Sequence, residues 1–168
     1  MDGRAFQKLT CGLYVVTTVH EGQKSGCVVN TVTQVTSSPA KVMVAINKQN
    51  FTSGILEKAG VFHITALTEE VPLPVIGCFG YQTSAEFDKF AEFETKVDAN
   101  GCPYVPEGAA ASFTCKLVQQ LDVGTHILFI GEVQDAEVTS EDNPMSYSYY
   151  HVVKKGKTPP KAPSYQPE

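Results

Sequence analysis

The stretch Gly26-Cys27-Val28-Val29-Asn30-Thr31-Val32-Thr33-Gln34-Val35-Thr36-Ser37-Ser38-Pro39, followed by Lys41–Asn47, decides the fold. β-Branched residues dominate it, and a Ser-Pro turn signal divides it. It therefore predicts strands over residues 25–36 and 41–47. Upstream, Leu13–His20 is a Val/Thr-rich strand that ends at the turn Glu21-Gly22-Gln23-Lys24. Downstream, Val61–Leu67, Ala109–Leu121 and His126–Val138 have the same character. The reading is mostly β, a barrel or sandwich in one domain. Helical signals are few. Thr52 caps a predicted helix through Lys58, with Gly60 just past its end, and residues 72–79 and 85–93 are weaker candidates.

The chain has 168 residues and a formal charge of -5, with 13 Lys and Arg against 18 Asp and Glu. That balance argues against a nucleic-acid-binding face but leaves anionic small ligands open, since backbone amides bind phosphate in acidic proteins too. No run approaches the ~20 apolar residues that span a bilayer, and no secretory leader is apparent, so the expectation is cytoplasmic and no membrane partner. The cysteines at 11, 27, 78, 102 and 115 form no C-x-x-C pair, which argues against zinc or an iron centre and for reduced thiols. Phosphate-loop, dinucleotide-fingerprint, metalloprotease and nucleophile-elbow motifs are all missing. After His151 the composition shifts. Residues 154–168 carry four lysines and four prolines, so the division is a domain over 1–153 and an extended tail over 154–168 that builds no core.

Three segments carry chemistry. Asn30, Thr31, Thr33, Gln34 and Thr36 form an uncharged run of hydrogen-bonding groups, suited to a flat heterocycle with imide edges or equally to an exposed edge strand. At the junction Asn47-Lys48-Gln49-Asn50-Phe51-Thr52-Ser53, a helix entrance, an ammonium and hydroxyls make a phosphate site or an ordinary cap. His126 opens the apolar strand Ile127–Ile130, facing a ligand or serving as a satisfied loop residue.

Taken together, residues 26–52, the segment Glu86-Phe87-Asp88-Lys89-Phe90-Ala91-Glu92-Phe93 and Val123–Val133 resemble the flavin-reductase-like family of FMN-binding split-barrel proteins. The likeness covers about residues 9 to 153. It is strongest to the flavin reductase domain of high-molecular-weight rubredoxins, on Asn143–His151 and the tail through Tyr165. This chain has neither rubredoxin C-x-x-C pair, so it reads as a version without that domain. Thr125 replaces the family's aspartate before the histidine, and Ser38-Pro39-Ala40 replaces its double proline.

The resemblance implies an FMN-binding split β-barrel that takes a hydride from NADH or NADPH onto the flavin. A flavoredoxin-like carrier without its own nicotinamide oxidation is the alternative. It places Val29, Asn30, Thr31, Val32, Thr33 and Ala45 near the ring, and Asn47, Lys48, Asn50, Phe51 and Thr52 near the phosphate. It puts His126 on the nicotinamide side and Asp88-Lys89-Phe90 at the opening. It also implies a homodimer and a rubredoxin or flavodiiron protein as electron acceptor. Arg4 is the lone arginine, which favours NADH.

Overall fold

A computed structural model describes residues 2–163 and 165, without the side chains of Arg4 and Gln7. A 3₁₀ turn, Gly3–Lys8, precedes strands β1 (Tyr14–His20), β2 (Gln23–Val29), β3 (Val32–Ser37) and β4 (Ala40–Asn47). Helix α1 (Phe51–Ala59), β5 (Val61–Leu67) and α2 (Leu73–Tyr81) follow. A small hairpin, β6 (Lys96–Val97) and β7 (Pro103–Tyr104), leads to β8 (Ala109–Asp122), β9 (His126–Val138) and α3 (Tyr147–Val152). The seven long strands form one sheet in the order β2-β1-β5-β8-β9-β4-β3. All its pairings are antiparallel.

The sheet rolls around its own core because alternate residues of each strand turn inward. Val16, Cys27, Val44, Ile46, Phe62, Ile64, Cys115 and Phe129 fill the interior, and Leu56 of α1 plugs it. Gly131 makes room for the Phe62 ring, which lies where a Cβ at 131 would stand. The end strands β2 and β3 do not pair, so the barrel is split there. A second cluster packs on the outside of β1 and β5: Leu13, Val15 and Leu67 meet Val75, Ile76 and Phe79 of α2, with Phe90, Met145 and Tyr150.

Three readings change, the third being the cap of α1, expected at Thr52 and found at Asn50. The strand expected over 25–36 is two strands broken at Asn30-Thr31, where the Thr31 hydroxyl donates to Asn30 Oδ1 at 3.1 Å and the Thr31 carbonyl accepts from Ala45 N. Residues 85–93 are turns, not helix. Thr83 Oγ1 and Asp88 Oδ1 accept from the N–H groups of Ala85 and Phe90, and such local bonds compete with a helical ladder. The cap of α1 is Asn50, whose Oδ1 accepts from Thr52 N at 3.0 Å. Gly60 ends the helix at φ 68°. All five cysteines are free; burial pushes Cys27 up to about 11 and Cys102 and Cys115 up to about 12, so these three stay thiols. Among the described residues, no helix is long and apolar enough to cross a membrane.

Candidate functional site

A cavity of about 310 Å³ opens on the outer face of the barrel, where β2, β4 and β9 meet α1 and α2. Its position follows from strand register. Val44 and Ile46 face the barrel core, so Ala45 and Asn47 face outward, and Asn47 pairs directly with His126 across the ladder. The floor is the edge of the second core: Leu13, Val28, Ile76 and Phe79. Four side-chain amides line it, from Asn30 at the strand break, Asn47 at the end of β4, Asn50 at the cap of α1 and Gln82 just past α2. Phe51, Tyr81, Tyr147 and Tyr150 add aromatic surface, and residues 157 and 159–163 close the outer side.

Hydrogen bonds fix the polar groups. Asn47 Oδ1 accepts from Gln49 N at 2.9 Å, while its Nδ2 donates to the Lys161 carbonyl at 3.2 Å. His126 Nε2 lies 3.2 Å from that same carbonyl and Nδ1 lies 2.8 Å from the Thr125 hydroxyl. A carbonyl only accepts, so Nε2 carries the proton, and in the neutral ring Nδ1 accepts from Thr125. An aspartate before the histidine would accept from Nδ1–H and favour the opposite neutral tautomer, so the hydroxyl reverses the direction of this bond and adds no negative charge.

Behind the wall, Lys89 is 3% exposed and donates to the carbonyls of Gly26 (2.9 Å) and Phe79 (3.3 Å). Burial pulls its pKa below the ordinary lysine value. It ties α2 to β2, so the Asp88-Lys89-Phe90 segment braces the wall from the rear, with Phe90 also buried.

Of the residues singled out in the sequence, Val29, Asn30, Ala45, Asn47, Asn50, Phe51 and His126 line this cavity. Thr31, Val32 and Thr33 line a second cleft of about 340 Å³ that begins on the other side of Asn30 and runs past Tyr14 and Met145. Lys48, in the turn after β4, does not line the cavity and pairs with Asp122 at 2.8 Å. The Lys48 hydrogen bond holds the Asp122 carboxyl below the usual range. Thr52 is 1% exposed and shares a hydrogen bond of 2.9 Å with Ser25. Tyr81–Thr83, Tyr147, Tyr150 and the C-terminal segment were not anticipated. The Tyr-rich spacing at 147, 149 and 150 was the available signal for part of them. Residues 164 and 166–168 of the tail lie outside the described residues.

A family model for the flavin reductase like domain matches residues 6–155. A ferric-chelate reductase (NAD(P)H) of Archaeoglobus fulgidus is 44% identical over 165 residues, 98% of each chain. A high molecular weight rubredoxin of Moorella thermoacetica is 44% identical over 165 residues, 98% of this chain and 72% of that one. Among solved structures, a putative flavin reductase from Haemophilus somnus superposes with a TM-score of 0.77 at 26% identity, covering 86% of this chain and 90% of that one.

Proposed function

The chain belongs to the flavin reductase-like family, and from that premise we propose that it binds FMN in the cavity at the end of β4 and oxidises NADH or NADPH there. It passes the electrons to free flavin or to a small electron-transfer protein. The observation that carries this reading is the donor set: four side-chain amides, of Asn30, Asn47, Asn50 and Gln82, around an apolar floor, with no carboxylate among the described lining residues. An isoalloxazine has a flat apolar body and an imide edge that asks for neutral donors and acceptors, and its ribityl phosphate is repelled by carboxylates. The residues present fit both demands, and the cavity volume lies at the small end of the range for cofactor pockets.

When bound, FMN supplies the redox chemistry, taking two electrons as a hydride and handing them on. The chain's part is placement. Val28, Val29 and Phe79 give the ring an apolar bed, Asn30 and Asn47 offer amides to its polar edge, and Asn50 and Phe51 stand at the phosphate end. His126, whose Nε2–H is held by the Lys161 carbonyl, stands on the nicotinamide side of the cavity. Lys48, Thr52 and the Thr31–Thr33 segment remain candidates for contacts made when both clefts are occupied or a second subunit is present.

We propose a homodimer as well. Val118, Leu121 and Val123 are about half exposed at one end of the β8–β9 ribbon, an apolar surface suited to a second copy. A rubredoxin is the favoured acceptor, supported by the rubredoxin name of one relative, with a flavodiiron protein or a ferric chelate as others. The proposed division is a flavin domain over 1–153 with 154–168 as its appendage, in the cytoplasm. One observation favours the flavoredoxin-like carrier instead: the Lys161 carbonyl already occupies His126 Nε2. Steady-state NADH oxidation with added FMN tests the proposal. Turnover proportional to protein supports the reductase, and none with either nicotinamide donor overturns it.

A further inference from the structure

Residues 157–163 cross the mouth of the cavity, although their composition promises no contact with a folded core. Tyr81 Oη donates to the Lys157 carbonyl at 2.6 Å. Asn47 Nδ2 and His126 Nε2 both reach the Lys161 carbonyl at 3.2 Å, and Lys161 Nζ donates to the Gln49 carbonyl at 3.1 Å. Tyr147 Oη and Thr158 Oγ1 lie 2.7 Å apart, fixing the approach. Pro159 and Pro160 restrict the backbone between these anchors, which lowers the entropy lost in docking.

Charge shows what the segment adds. Lys157 and Lys161 are the only residues with a fixed charge among the described lining residues, in a chain of formal charge -5. The barrel contributes amides, aromatics and one histidine to the cavity, and the tail contributes the cations. Amides orient an anion, but a net positive charge is what attracts one and gives a charge-assisted bond.

We propose that residues 157–163 form a strap that recognises a phosphate ester in this cavity through Lys157 and Lys161, while the Lys161 carbonyl holds Asn47 and His126 in place. This rests on the reading of the cavity as a flavin and nicotinamide site. Two phosphate esters enter such a site, FMN and the dinucleotide with its pyrophosphate, and the test separates them.

The test compares the full chain with the double variant Lys157→Gln/Lys161→Gln at low ionic strength. Fluorescence titration gives affinities for FMN and for riboflavin. Rapid reduction gives the concentration dependence with NADH and with 1-benzyl-1,4-dihydronicotinamide, which has no phosphate. Two exposed cations should together contribute about tenfold to one phosphorylated ligand and less than about twofold to its unphosphorylated counterpart. A loss confined to FMN assigns the strap to the flavin phosphate. A raised KM for NADH at unchanged limiting rate assigns it to the pyrophosphate. Salt should shrink either difference in the unaltered chain. Unchanged affinity for both phosphorylated ligands overturns the proposal, and so do equal losses for phosphorylated and unphosphorylated forms. An unaltered chain that binds neither FMN nor riboflavin defeats the flavin reading itself, a result that needs no variant.

Discussion

Replacing Asp98 by alanine is expected to cost about 3–5 kcal/mol of folding free energy. The Asp98 side chain is 3% exposed and accepts from the backbone N–H groups of Cys102 and Asn100, both at 2.9 Å, and from His63 Nδ1 at 3.1 Å. His63 is 2% exposed, its ring stacks on Tyr104 at 4.2 Å, and its Nε2 is buried without a hydrogen-bond partner. The carboxylate therefore closes the 96–104 segment over the outer face of β1 and β5. Its removal orphans three donors at roughly 1–3 kcal/mol each, and the two loop N–H groups recover part of that by turning to water. Asp98→Asn retains an acceptor oxygen and should cost about 1–2 kcal/mol less. Burial raises the Asp98 pKa, but the bonds from His63, Cys102 and Asn100 outweigh it and hold the carboxyl below 3.8. A carboxyl depressed in the folded state adds stability above its unfolded pKa and loses it as pH falls through the folded value. The gap between the native chain and the variant should then narrow in acid. Urea unfolding followed by circular dichroism at neutral pH and at about pH 3 measures both effects. A loss below about 1 kcal/mol with an unchanged m-value, or a gap indifferent to pH, would refute the reasoning.

Gly26→Ala sets a Cβ 2.9 Å from both Phe79 Cε1 and Thr17 Cγ2, so it should cost about 1–3 kcal/mol and drive Phe79 into the cavity. Thermal melts and FMN titration should both respond, whereas a stability loss with intact flavin affinity would separate Phe79 from the site. Asn50→Ala removes the cap bond to Thr52 N and should destabilise by about 1 kcal/mol in a urea titration. Light scattering of the flavin-loaded protein should give twice the 18.2 kDa chain mass; a stable loaded monomer would contradict the dimer.

The barrel was legible because its strands are rich in β-branched residues and most are flanked by Gly, Pro or Asn within two residues of an end. The break at Asn30-Thr31 was not, since alternation runs through it and only a buried amide bent by long-range contacts marks it. Likewise 85–93 has helical composition, overruled by turns on Thr83 and Asp88 and by the burial of Lys89. For the site, the end of β4 explains the division. Strand β4 ends at Asn47, which lines the cavity, and the chain turns at Lys48, whose side chain pairs with Asp122, so the residues of the predicted junction are divided in this structure. The strap left little signal because three of its docking bonds go to the main-chain carbonyls of Lys157 and Lys161, which any residue possesses.

Mixing the anaerobic, FMN-loaded protein with NADH or NADPH and following the flavin absorption tests the central claim most directly. The account expects rapid bleaching with one reduced nicotinamide consumed per FMN. A flavin that keeps its colour with both donors would contradict it and leave the chain a carrier.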